Sequence, residues 1–167
     1  MDKVYVEILD STLRDGAQGE GISFSVSDKL NIVKALDAYG VDYIEAGNPG
    51  SNPKDLEFFD KVSKLNLKNS KLCAFGATRR KGIRPEEDVN IQFLLKANTP
   101  VVVIFGKSWD LHVEEILKAT LEENLEIVKD TVEYLKSKGK EVFFDAEHFF
   151  DGYRANPNYA LAVLKAA

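Results

Sequence analysis

Residues Lys3–Asp10 alternate Val4, Val6 and Ile8 with Tyr5 and Glu7 before a polar, glycine-containing stretch, Ser11–Gly21. That period of two predicts a first strand and its loop. From Ser27-Asp28 the period changes, with Leu30, Ile32, Val33 and Leu36 at helical spacing and Gly40 where a helix stop belongs. The pair then repeats. Val41–Ala46 predicts a second strand ending at Gly47 and Pro49, and Pro53–Leu65 a second helix carrying Leu56, Phe58, Phe59, Val62 and Leu65 on one stripe. Lys71–Ala77, Val101–Phe105 and Glu141–Ala146 predict further strands, and Glu86–Ala97 and Leu121–Lys138 further helices, the longer ended by Gly139. Lys107–Leu117 reads as a short helix in a loop, with Trp109, Leu111, Val113 and Ile116 as its apolar members. Pro157–Ala167 starts a last helix that stops without a cap, so the polypeptide is expected to be part of a longer one.

Alternating strands and helices imply parallel βαβ units, either as an open doubly wound sheet or as a closed (β/α)8 barrel. A barrel needs about 250 residues and eight units, so five units in 167 residues favour the doubly wound sheet on pattern alone.

Composition narrows the partners. With 44% hydrophobic and 29% charged residues the chain suits one globular domain, and a net charge of −5 from interspersed charges gives no reason to expect nucleic acid or an anionic membrane. Small molecules are the expected ligands. The single cysteine, Cys73, lies in an apolar run and reads as a small buried hydrophobe in a reducing, cytoplasmic setting; neither a signal peptide nor a membrane-length apolar stretch is visible.

Ligands collect at the C-terminal ends of parallel strands, so the loops there carry the candidate chemistry. The first holds Asp10-Ser11-Thr12-Leu13-Arg14-Asp15-Gly16-Ala17-Gln18, either a reactive group or a turn with a local ion pair. Glu45 is a charge at an otherwise apolar strand end, which calls for a partner or a metal, and Arg14 is the partner in the plain structural reading. Thr78-Arg79-Arg80-Lys81 is a basic turn, read first as a solvated loop and second as a phosphate-steering one. Asp145-Ala146-Glu147-His148 groups two acids and an imidazole. His112, far from His148 in sequence, reads as a helix-face residue, and no zinc-binding pair, P-loop, G-x-S-x-G elbow or G-x-G-x-x-G is present.

The run Asp10–Gln18 resembles the D-x-T-L-R-D-G-x-Q signature that opens the barrel of the 2-isopropylmalate, homocitrate and citramalate synthases. Gly47–Asp55, Ile104–His112 and Asp145–Tyr153 are most similar to the citramalate synthase branch, and the resemblance covers essentially the whole chain. It implies a partial TIM (β/α)8 barrel instead of a doubly wound sheet, with residues 1–167 forming about the first five β/α units of the catalytic barrel.

The resemblance also implies an acyltransferase. The acetyl-CoA methyl group is deprotonated, the enolate attacks the keto carbon of pyruvate, and thioester hydrolysis gives citramalate and CoA, a step of isoleucine biosynthesis. It places Arg14 and Glu147 in catalysis, Gln18, Glu45 and Asp145 at the substrate, and Asp15 on a divalent metal (magnesium, manganese or zinc) whose other ligands lie beyond Ala167. The chain alone is therefore expected to be inactive. Open strand edges after Val101–Phe105 and Glu141–Ala146 lead to expected self-association, as a dimer. The alternatives are a synthase using another 2-oxo acid, a related metal-dependent lyase or carboxyltransferase, and a non-catalytic module whose charges are barrel-end salt bridges.

Overall fold

The computed structural model describes residues 4–167. Five parallel strands, β1 (Leu9–Asp10), β2 (Tyr43–Glu45), β3 (Lys71–Ala77), β4 (Val101–Lys107) and β5 (Glu141–Glu147), stand side by side in chain order. This order corrects the expectation drawn from pattern alone. A doubly wound sheet reverses direction at a switch point, whereas here every crossover advances one strand the same way, as in a barrel wall.

The wall is curled. Across the inner face Tyr43 Oη of β2 lies 3.3 Å from Glu141 Oε1 of β5 and 3.2 Å from Glu7 Oε1, its one proton shared between the two carboxylates, and the Tyr43 and Phe143 rings meet edge-on with centroids 4.8 Å apart. Three strand spacings of about 4.8 Å would hold β2 and β5 roughly 14 Å apart in a flat sheet. Alternation sends Tyr43, Cys73, Val101 and Val103 to this inner cluster, with Phe75 and Phe143 against it. Burial pushes the Cys73 thiol up to about 12, so it packs as an inert hydrophobe.

The outer face carries the larger core, where Ile44, Leu72, Ala74, Val102 and Ile104 meet Val33, Phe58, Phe59, Ile91, Leu94 and Leu135 of the helices. Those helices are α1 (Val26–Tyr39), α2 (Pro53–Val62), α3 (Val89–Lys96) and α5 (Leu121–Ser137). Local chemistry fixes their ends. Ser25 and Asp28 form a capping box on α1, and Gly40 closes it in the left-handed region at φ 94°. Asn52 caps α2 ahead of Pro53, Asp88 caps α3, and Thr120 with Glu123 makes a second capping box on α5. Residues 110–117 form the short α4 (Asp110–His112) and a π-helical turn, Val113–Leu117.

Two further expectations are corrected. The first strand shrinks from Lys3–Asp10 to Leu9–Asp10, with Lys3 outside the described residues. Val4, Tyr5, Val6 and Ile8 are exposed, because only β2 pairs with β1 and β2 has just three residues. Asp42 tethers the preceding segment instead, accepting from the Ile8 N–H at 2.7 Å and from the Tyr5 hydroxyl. The open edges are β1 and β5; β4 is paired on both sides and is not an edge. A helix that the sequence pattern does not announce, α6 (Phe149–Ala155), precedes α7 (Pro157–Ala166). Among the described residues no helix is long and apolar enough to cross a membrane.

Candidate active site

The loop after β1 folds back on itself. The N–H groups of Arg14, Asp15 and Gly16 all donate to the Ser11 carbonyl at 2.9–3.2 Å, and buried Leu13 pins the turn to the core. This aims Arg14 across the end of β2. Its Nε donates to Glu45 Oε2 at 2.6 Å, its Nη1 to Asp15 Oδ1 at 3.0 Å, and its guanidinium lies 4.3 Å from the centre of the Phe75 ring. A guanidinium held by two carboxylates and an aromatic face has little rotamer freedom left.

Glu45 is 1% exposed. Burial pushes its carboxyl above the usual range, Arg14 opposes that push by hydrogen bond and charge, and Asp145 and Asp15 reinforce it. Asp15 points outward, its side chain 66% exposed, and Asp145 is exposed on the inner face near the end of β5.

Arg14 and Gln18 line one cavity of about 400 Å³ with Lys29, Asn48, Asp55, Phe75 and Phe105. Its floor is an ion pair that sequence reading did not anticipate, Lys29 with Asp55, both largely buried. Burial raises the Asp55 carboxyl, but hydrogen bonds from Lys29, Ser51 and Asn52 outweigh it and hold the group below the usual carboxylate range. The signal was present: Lys29 lies four residues before Val33, on the helix face that α1 buries.

Glu147 ends β5 and bonds to Lys107, which ends β4 directly opposite. The structure thus joins Arg14, Asp15 and Glu45 in one set and places Gln18 beside it. Glu147 belongs to a second set, and among the described residues no hydrogen bond or ion pair links the two. The basic turn is not simply solvated: Arg79, its side chain 12% exposed, pairs with Asp130, Arg80 with buried Asp88, and Lys81 with Glu123. His112 and His148, distant in sequence, meet with ring centroids 4.7 Å apart beside Trp109.

Asp15 offers a hard oxygen donor at the mouth, the kind of ligand a divalent cation takes, with Oδ1 already accepting from Arg14. Among the described residues no group of three histidine, cysteine or acidic side chains is arranged to hold an ion. The described residues therefore supply one fitting ligand and no complete site.

Sequentially wound parallel strands, with an arginine–carboxylate set gathered at their C-terminal ends, define part of the wall of a TIM-type barrel. The chain belongs to the HMGL-like family, whose profile matches residues 5–167. It is 60% identical over 99% of its length to the (R)-citramalate synthase of Aquifex aeolicus and covers 31% of that protein. It is 55% identical over 97% of its length to the (R)-citramalate synthase of Geobacter sulfurreducens, again covering 31%. The chain thus spans about a third of the length of these curated relatives. Among solved structures it superposes on the HMG-CoA lyase from Brucella melitensis with a TM-score of 0.69 over 98% of this chain and 58% of that one, at 16% identity. That likeness concerns the fold.

Proposed function

We propose that the chain forms the first five β/α units of the catalytic barrel of an acyltransferase that condenses acetyl-CoA with pyruvate, yielding citramalate and CoA. The observation that carries the reading is Arg14, fixed by Glu45, Asp15 and Phe75 at the mouth of the barrel wall. Its Nη2 has no protein partner among the described residues and is free to donate to a substrate oxygen. The high identity to proteins named (R)-citramalate synthase supports the choice of substrates.

As the enolate carbon of acetyl-CoA attacks the keto carbon, negative charge gathers on the keto oxygen. A donor already oriented toward that oxygen stabilises the transition state without reorganising, an effect worth about 3–4 kcal/mol for one donor. Glu45 holds the guanidinium in place, Gln18 and Asp145 contact the acceptor, and Glu147 provides a carboxylate beside the reacting atoms. Asp15 would be this chain's ligand to a divalent ion held in the full-length protein. Such an ion supplies Lewis acidity at the acceptor's keto oxygen.

The test is thiol release from acetyl-CoA by the full-length protein with magnesium or manganese, comparing pyruvate, 2-oxobutyrate, 2-oxoisovalerate and 2-oxoglutarate. Pyruvate-selective release is expected. Selectivity for 2-oxoisovalerate or 2-oxoglutarate would replace the substrate, and no release with any acceptor would overturn the condensation.

A further inference from the structure

Lys107 and Glu147 stand opposite each other in the β4–β5 register, each the last residue of its strand. Alternation along β4 carries Val101, Val103, Phe105 and Lys107 to the inner face, and along β5 Glu141, Phe143, Asp145 and Glu147 to the same face. The Lys107 Nζ donates to Glu147 Oε2, and among the described residues no other side chain bonds to that carboxylate. The lysine side chain is 15% exposed and the glutamate 33%, so the pair is sheltered from solvent without being sealed from it.

A lone surface lysine would lose much rotamer freedom to hold such a pose. Here both backbones are clamped. Asn124 Nδ2 donates to the Lys107 carbonyl at 2.8 Å, and Ser108 Oγ donates to the Glu147 carbonyl at 2.7 Å. The loops beyond are pressed together at Gly152, where an added Cβ would lie 2.6 Å from the Ser108 carbonyl oxygen. Four carboxylates, Asp15, Glu45, Asp145 and Glu147, belong to the strand ends and their loops, and Arg14 is already engaged by two of them. Glu147 has its own cation.

We infer that Lys107 is the positioning residue for Glu147: its ammonium group anchors Oε2 and leaves Oε1 as the oxygen offered to the reacting groups. This rests on the proposed condensation for its assay, while the pairing itself does not. Fixing one oxygen removes the rotation about the last side-chain bond that would let the carboxylate turn away. Misplacement of a reacting group by about 1 Å can cost on the order of 100-fold in rate.

The experiment uses the full-length enzyme carrying Lys107→Met, Lys107→Arg, Glu147→Gln and the Lys107→Met/Glu147→Gln double change. Lys107→Met is expected to lower kcat by about 10–100-fold with little change in the KM for pyruvate, and Lys107→Arg to recover most of the loss. The double variant should be no slower than Glu147→Gln alone, because the lysine acts only through that carboxylate. An unchanged kcat in Lys107→Met, or losses that multiply in the double variant, would overturn the inference. Should Lys107→Met fail to fold, Lys107→Gln takes its place; failure of both neutral variants beside a folded, active Lys107→Arg assigns the pair to stability and also overturns it. A wild-type enzyme silent with every 2-oxo acid defeats the proposed condensation instead. The pairing is then read from the Glu147 carboxyl carbon-13 signal, assigned by its loss in Glu147→Gln. That signal should move in Lys107→Met and return in Lys107→Arg, and a signal that stays put overturns the inference.

Discussion

Tyr43 on β2 and Glu141 on β5 meet across the inner face, Oη 3.3 Å from Oε1, although β3 and β4 lie between them; Glu7 Oε1, 3.2 Å away, shares the hydroxyl's proton. The contact closes the curl of the wall, and Lys71 Nζ, 2.8 Å from Glu141 Oε2, reinforces it from β3. Tyr43→Phe keeps the edge-on contact with Phe143 and removes the hydroxyl, so it should cost about 1 kcal/mol. Tyr43→Ala empties the inner cluster and should cost about 3–5 kcal/mol. Urea unfolding of the full-length protein, with wild type and variants at one concentration, measures both, and equal costs would show that the ring contributes nothing beyond its hydroxyl.

Arg14 separates a catalytic reading of the mouth from a purely structural one. Arg14→Lys keeps the charge but cannot reproduce the fork that reaches Glu45 and Asp15 together. The full-length enzyme should lose about 100–1,000-fold in kcat/KM for pyruvate, with only a small fall in melting temperature. A large fall in melting temperature with nearly unchanged kcat/KM would assign Arg14 to barrel-end packing.

Acid should weaken the fold through carboxylates that cap backbone N–H groups. Asp37 accepts from the N–H groups of Lys68, Asn69 and Ser70 at 2.8–3.1 Å. Burial raises its carboxyl, but those bonds outweigh burial and hold it below the ordinary value; buried Asp88 behaves alike, capping α3. A group depressed in the folded state stabilises it above its unfolded pKa of about 3.9, and that stability is lost as pH falls through the folded value. Unfolding midpoints should therefore be level near neutrality and drop below about pH 4. Asp37→Ala should lower stability by about 2–4 kcal/mol at pH 7 and flatten the acid slope. An acid slope identical to wild type would remove Asp37 from the explanation.

Much of this was readable in the sequence where neighbours along the chain set the outcome. Lys71–Ala77 is a strand over the full expected range, and Asn52-Pro53 opens α2 through a cap that two adjacent residues provide. The length of β1 was not readable, because it depends on a three-residue partner and not on the alternation of Val4, Val6 and Ile8. Nor was α6, whose place is set by contact between Gly152 and the Ser108 backbone. At the site, the nine-residue run Asp10–Gln18 carried Arg14, Asp15 and Gln18 together. Lys107 was legible in principle, two steps beyond Phe105 in a strand of period two, but a strand ended at Phe105 hides it. The pairing of Arg79, Arg80 and Lys81 needed tertiary structure, since the partners of Arg79 and Lys81 come from α5.

The open edges of β1 and β5 expose unpaired backbone groups, which favour pairing with another chain. The 167-residue chain on its own should self-associate at micromolar concentration and release no thiol from acetyl-CoA. Sedimentation as a monomer would count against the first statement, and pyruvate- and metal-dependent CoA release by this chain against the second.

Gly152 couples the loop after β5 to the loop after β4 through backbone contact alone. A Cβ there would lie 2.6 Å from the Ser108 carbonyl oxygen and 2.8 Å from the Trp109 Cα, and neither atom is the end of a flexible side chain. Gly152→Ala must therefore push α6 and residues 108–109 apart. The same two loops carry the Ser108 bond to the Glu147 carbonyl and the Asn156 bond to Asp110 at 3.0 Å, so the displacement loosens Glu147 as well as the packing. Overpacking of this kind should cost about 1–3 kcal/mol, and kcat should fall further than the folded fraction explains. Gly152→Ala with wild-type kcat and an unchanged unfolding midpoint would show that the loops slide apart without consequence for Glu147.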